Sequence, residues 1–83
     1  MNDPFIHERA AKFAARVMRE KSDDPSRIER AFQILYARPP APEETEMAAG
    51  HLAQLAAKNL PADKAWQSLS RALLAANEFL YLD

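Results

Sequence analysis

No cysteine occurs in these 83 residues, and only one glycine. The first absence rules out disulfides, zinc–thiolate and iron–sulfur sites, and any thiol nucleophile. The second leaves no glycine-rich loop to cradle a phosphate. Residues branched at Cβ are also few: Ile6, Val17, Ile28, Ile34 and Thr45. That scarcity argues against a sheet. No apolar run approaches the roughly 20 residues that a bilayer-spanning helix needs, so no membrane insertion is expected. Asn2, Asp3, His7, Glu8 and Arg9 leave no room for the apolar segment of a signal peptide. A positive excess is missing too, since the formal net charge is −1. The first 38 residues carry 8 Lys/Arg against 6 Asp/Glu and the remainder 3 against 6, so the basic stripe of a nucleic-acid binder is not expected.

What is present points to helices. A chain of this length forms one core and buries roughly 60–65% of its surface. Alanine supplies much of the apolar share, and it is the strongest helix former. Four of the six prolines, Pro4, Pro25, Pro42 and Pro61, stand where a helix begins, and there the missing N–H costs nothing. The first helix is expected over Pro4 to Glu20, capped by Asp3, with Ile6, Ala10, Phe13, Ala14, Val17 and Met18 as its apolar stripe. Glu8, Lys12, Arg16 and Arg19 face away. Asp24 is expected to cap the second helix, whose stripe is Ile28, Ala31, Phe32, Leu35 and Tyr36, and Pro39 ends it.

Arg38-Pro39-Pro40-Ala41-Pro42 then makes a stiff connection into a third helix. Glu43, Glu44 and Glu46 lie in or just after its first turn, where they suit the positive end of the macrodipole. Ala48, Leu52, Leu55 and Asn59 mark a thin inner face, so this helix is expected to be the least buried. Gly50 within it permits either close approach of a neighbour or is simply tolerated. The fourth helix is expected from Ala62 to Ala76, with Ala65, Trp66, Leu69, Ala72, Leu73 and Ala76 inward and Asn77 as its cap. An apolar tail, Glu78-Phe79-Leu80-Tyr81-Leu82, extends that helix or folds back. The fold class is therefore all-α: a compact four-helix bundle-like domain with short loops.

Little in this pattern carries chemistry. His7 and His51 are the only imidazoles, 44 positions apart, with no local partner motif for a metal. The three glutamates are accounted for by the helix start. Asp23-Asp24-Pro25-Ser26 reads as a cap and not as a calcium loop. Ser22, Ser26, Thr45, Ser68 and Ser70 have no glycine-bounded elbow and no paired histidine. Phe13, Phe32, Trp66 and Tyr36 read as core. Arg38 is expected to cover the last carbonyls of the second helix, and Arg27, Arg30 and Arg38 to form a solvated face or a partner-binding edge.

Several segments are nonetheless specific. Asn2-Asp3-Pro4-Phe5, Arg27-Ile28-Glu29-Arg30-Ala31-Phe32 and Arg38-Pro39-Pro40-Ala41-Pro42-Glu43-Glu44 resemble the C-terminal part of the planctomycete-type cytochrome c-associated family (domain of unknown function 1553). Ala65-Trp66, Ala72-Leu73-Leu74 and Asn77-Glu78-Phe79-Leu80-Tyr81 do so as well. The resemblance implies a domain spanning 1–83 cut from the C-terminal part of a longer protein, with an extracytoplasmic location. Members often bear a Cys-x-x-Cys-His haem motif elsewhere. None is present here, so no haem and no catalytic residue carries over. The family more often has Thr or Ser where this chain has Ala41.

These readings converge on a non-catalytic helical module with no cofactor, metal or catalytic residue of its own. Its expected partners are other domains of the same parent protein or a separate protein, and not nucleic acid. Such a module predicts an exposed apolar patch near Tyr81 or on the third helix. The alternative is a part of a composite active site in a larger redox or hydrolytic enzyme, with His7, Arg38 or Glu44 converging on a pocket.

Overall fold

The computed structural model describes residues 4–80, the side chains of 78–80 excepted. Among the described residues the chain forms four helices and no strand: α1 (Pro4–Glu20), α2 (Asp24–Tyr36), α3 (Pro42–Ala57) and α4 (Ala62–Leu80). Each start is set by local chemistry. Asp23, in extended geometry, caps α2, its carboxylate accepting from Ser26 N–H at 2.9 Å. That bond, with the Ser26 hydroxyl, holds the Asp23 carboxyl below its ordinary value. The cap is thus Asp23 and not Asp24, whose carboxylate turns to a different partner. The expected Asp3 cap lies outside the described residues.

The ends are equally local. Arg27 donates to Lys21 O at 2.9 Å and to Met18 O at 3.3 Å, so it covers the final carbonyls of α1. Ala37 closes α2 in the left-handed region, φ 56, with its N–H on Gln33 O. At the end of α3, Leu60 N–H reaches Leu55 O and Asn59 N–H reaches Ala56 O. With Asn59 at φ 64 this is a Schellman closure, in which asparagine tolerates the left-handed turn. Asn59 therefore ends the helix and does not face inward. Helix α4 runs through Asn77 to Leu80. No glycine or proline interrupts it there, so Asn77 is a helical residue and not a cap.

The core gathers Val17 and Ala14 of α1, Ile28, Ala31 and Phe32 of α2, Ala48 and Leu52 of α3, and Ala65, Trp66, Leu69 and Leu73 of α4. Trp66 and Phe32 are the largest fully buried side chains, and truncating either to Ala is expected to cost about 3–5 kcal/mol. Phe13 is only half-buried and packs on this core from its edge. Two members of the expected α4 stripe, Ala72 and Ala76, are exposed instead, while Ser70 and Leu74 are buried. Helix α4 meets α1 more extensively than any other pair of helices meets. Through Ile6, Ala10, Ala14 and Val17, α1 presents two alanines in four, which allows a close approach. Trp66 Nε1–H donates to Asp24 Oδ1 at 2.9 Å and ties α4 to the start of α2. Helix α2 touches all three others, whereas α1 and α3 do not meet.

With only Ala48 and Leu52 buried, α3 shows the least buried face among α1 to α3. Gly50 lies on its outer side, where an added Cβ would find nothing within 4 Å. It serves no close approach within the domain.

Candidate functional site

The proline-rich connection between α2 and α3 builds a clamp. The left-handed Ala37 turns the chain and the prolines stiffen it. Glu44, in the first turn of α3, then folds back over the connection. Its carboxylate accepts from Ala41 N–H at 2.8 Å and from both terminal nitrogens of the Arg38 guanidinium, Nη1 at 2.7 Å and Nη2 at 2.9 Å. Ala41 has no side-chain acceptor, so only the glutamate half of a capping box is formed. The Arg38 bonds, followed by the Ala41 N–H, lower the Glu44 carboxyl from 4.5 to about 2. Reciprocally, Glu44 raises the Arg38 guanidinium above its ordinary value.

Arg38 does not cover the carbonyls of α2, as the sequence suggested. It donates to Pro39 O and lies over two aromatic rings, 5.9 Å from the centroid of Phe32 and 5.6 Å from that of Tyr36. The bidentate carboxylate fixes the guanidinium plane there. Tyr36 in turn donates its hydroxyl to Leu73 O at 2.9 Å, and burial raises its pKa. The clamp thus joins α2, α3 and α4.

Beside it opens a groove of about 190 Å³. Phe32, Tyr36, Leu69 and Leu73 form its floor and Ala72 and Ala76 one wall. Met47, 63% exposed, stands on the opposite lip with Glu44 and His51. His51 Nε2 and Ser68 Oγ lie 3.0 Å apart across the α3–α4 seam, with the direction of the hydrogen bond set by the imidazole tautomer. The expectation that no serine had a paired histidine is therefore overturned. The pairing spans 17 residues and two helices, a separation at which no local spacing signals it.

The other sequence candidates do not join this groove. His7 is exposed on α1, which does not meet α3. Glu43 and Glu46 are exposed on α3. Ser26 serves the cap of α2, and Ser70 is fully buried with its hydroxyl unpartnered. Arg27 is spent on α1 and on Asp24, and Arg30 pairs with Glu20 at 2.7 Å, so neither forms a free basic edge. Two larger clefts of about 420 and 430 Å³ lie at the α1–α2 corner, around Lys21 and Ser26. Both are open to solvent, and the ion-paired Arg27 lines one and Arg30 the other. Among the described residues no three His, Asp or Glu side chains group as metal ligands, and no helix is long and apolar enough to cross a membrane.

The clamp residues fall within a recognised sequence pattern. The family model described as PSD1, protein of unknown function (DUF1553), matches residues 1–52. The chain belongs to this family. The matched span carries the Arg38–Glu44 clamp, Met47 and His51. It stops short of α4, so the resemblance in Ala65-Trp66 and Asn77 to Tyr81 lies outside it. No curated protein and no solved structure matches the chain.

Proposed function

We propose that this PSD1-family chain is a non-catalytic helical module that docks on another domain or a separate protein through the α2–α3–α4 groove. The observation that carries the reading is Met47, 63% exposed at the lip of an open apolar cavity. Covering the exposed part of this methionine contributes about 1–2 kcal/mol. The chemistry of the surroundings supports the same reading. Tyr36, Glu44 and His51 each already hold a partner, so what the groove offers is chiefly hydrocarbon.

A photo-crosslinking residue introduced at position 47 or 72 tests this in the producing cell. Adducts are expected from both positions and not from position 15, an exposed site on α1. Equal adducts from position 15, or none from the groove, would count against docking.

One contact favours a second reading, in which the module completes a site of a larger redox or hydrolytic enzyme. His51 and Ser68 have the hydroxyl–imidazole pairing that nucleophilic catalysis uses. Two features weaken it. Ser68 lies within α4, where helical bonding consumes the backbone N–H groups that would stabilise an oxyanion. No described carboxylate orients the second ring nitrogen of His51. A Ser68→Ala variant that lost a measurable hydrolytic activity while keeping its helicity would restore this reading.

A further inference from the structure

The character of the groove restricts what can occupy it, and this step rests on the docking role proposed above. A cavity of about 190 Å³ has the scale of one bulky apolar side chain. Its floor is aromatic and aliphatic. Most polar atoms beside it are engaged, Tyr36 Oη with Leu73 O, the Glu44 carboxylate with Arg38 and Ala41, and His51 Nε2 with Ser68, which leaves the second ring nitrogen of His51 at the lip. A polar anchor would lose its water and gain few bonds on that apolar floor.

The rim has a sign. Arg38 and Glu44 neutralise each other. Glu43 stands four residues before Met47, which puts it on the same side of α3. Glu43 is exposed and enters no ion pair among the described residues, whereas Glu46, one residue before Met47, is exposed on a different side of α3. The uncompensated charge next to the cavity mouth is therefore negative. Across from it, Ala72 and Ala76 are exposed one turn apart on α4. They leave a flat wall against which another backbone can approach.

We infer that the groove receives a partner helix that presents one bulky apolar anchor, with a lysine or arginine about one turn away facing Glu43. The apolar anchor supplies affinity, as in other helix-in-groove contacts. The cation supplies orientation and discrimination against acidic partners.

Selection from a phage-displayed library of random helical peptides against the 83-residue chain tests this. Bound phage are competed with free chain or with its Met47→Asp variant, whose substitution at an exposed position leaves the core intact. The expected pool is enriched in peptides with Leu, Met or Phe and a Lys or Arg three or four residues from it. Their binding should fall about two- to fivefold in Glu43→Gln, as expected when one exposed charge facing a cation is neutralised, and should change less in Glu46→Gln. It should also weaken with salt. Peptides competed by the chain and not by Met47→Asp, yet lacking a basic residue, would overturn the charge inference and leave the docking role standing. Peptides competed equally by both proteins, or no enrichment, would overturn the docking role itself. Sedimentation showing a dimer abolished by Met47→Asp would assign the groove to a second copy and overturn the heterologous partner.

Discussion

Replacing Glu44 by glutamine removes a negative charge from the clamp while keeping its shape. Glutamine can still accept from Ala41 N–H, but it loses the bidentate bond to Arg38. Taken at face value, a carboxyl lowered from 4.5 to about 2 corresponds to roughly 3.4 kcal/mol, at 1.36 kcal/mol per unit. That figure is an upper bound, because the Glu44 and Arg38 side chains are 30% and 49% exposed, and solvent-exposed ion pairs contribute about 0.2–1 kcal/mol. Adding a part of the capping bond, we expect Glu44→Gln to destabilise by about 1–2 kcal/mol at neutral pH.

The sign with pH follows from linkage. A carboxyl lowered in the folded state stabilises above its unfolded value, and the contribution is lost as pH falls through the folded one. The difference between wild type and Glu44→Gln should therefore be constant above about pH 5 and shrink between pH 4.5 and 2. Glu20 and Asp23, also lowered, change both proteins alike and cancel. Urea denaturation followed by Trp66 fluorescence at neutral pH and near pH 2.5 measures the full difference and most of its loss. A difference that persists undiminished in acid, or none at pH 7, would refute the assignment of the stability to the Arg38–Glu44 bond.

Three further outcomes follow from particular side chains. Gly50→Ala should stabilise by about 0.8–1 kcal/mol, because the glycine sits within a helix and open space receives the methyl; thermal melts decide it, and a destabilisation would mean the site is not free. Asp24→Ala should cost about 1–3 kcal/mol by stranding the buried indole N–H of Trp66, whereas Asp24→Asn keeps an acceptor and should cost much less. Equal costs for the two, measured by urea denaturation, would show that the bond contributes little. Ser70→Ala should be neutral or stabilising by up to about 1 kcal/mol, since it removes an unpartnered buried hydroxyl and leaves the packing in place. A destabilisation above that size would reveal a partner for the hydroxyl.

The match to residues 1–52 bears out the DUF1553 resemblance of the Arg38 to Glu44 segment, without bearing on the planctomycete or cytochrome c association. What the sequence by itself determined about this protein is what acts within one or two turns. Prolines at the first turn, Asp and Glu at helix starts and apolar residues at three- and four-residue spacing locate all four helices and the inner faces of α1 and α2. These signals are local because a cap reaches only three residues and a stripe needs only its own helix. Even there, neighbouring aspartates were beyond resolution: Asp23 caps α2 because Asp24 is drawn to Trp66, 42 residues away. Tertiary structure alone decided which helices meet, and with that the groove. Ala72 and Ala76 lie on the inward stripe by spacing, yet they are exposed at its wall, because alanine is small enough to suit either side of a boundary. His51 meets Ser68 only because α3 packs on α4, and that packing is set by the summed burial of Trp66, Leu69, Leu73 and their neighbours, a property of the whole bundle that no short stretch of chain contains.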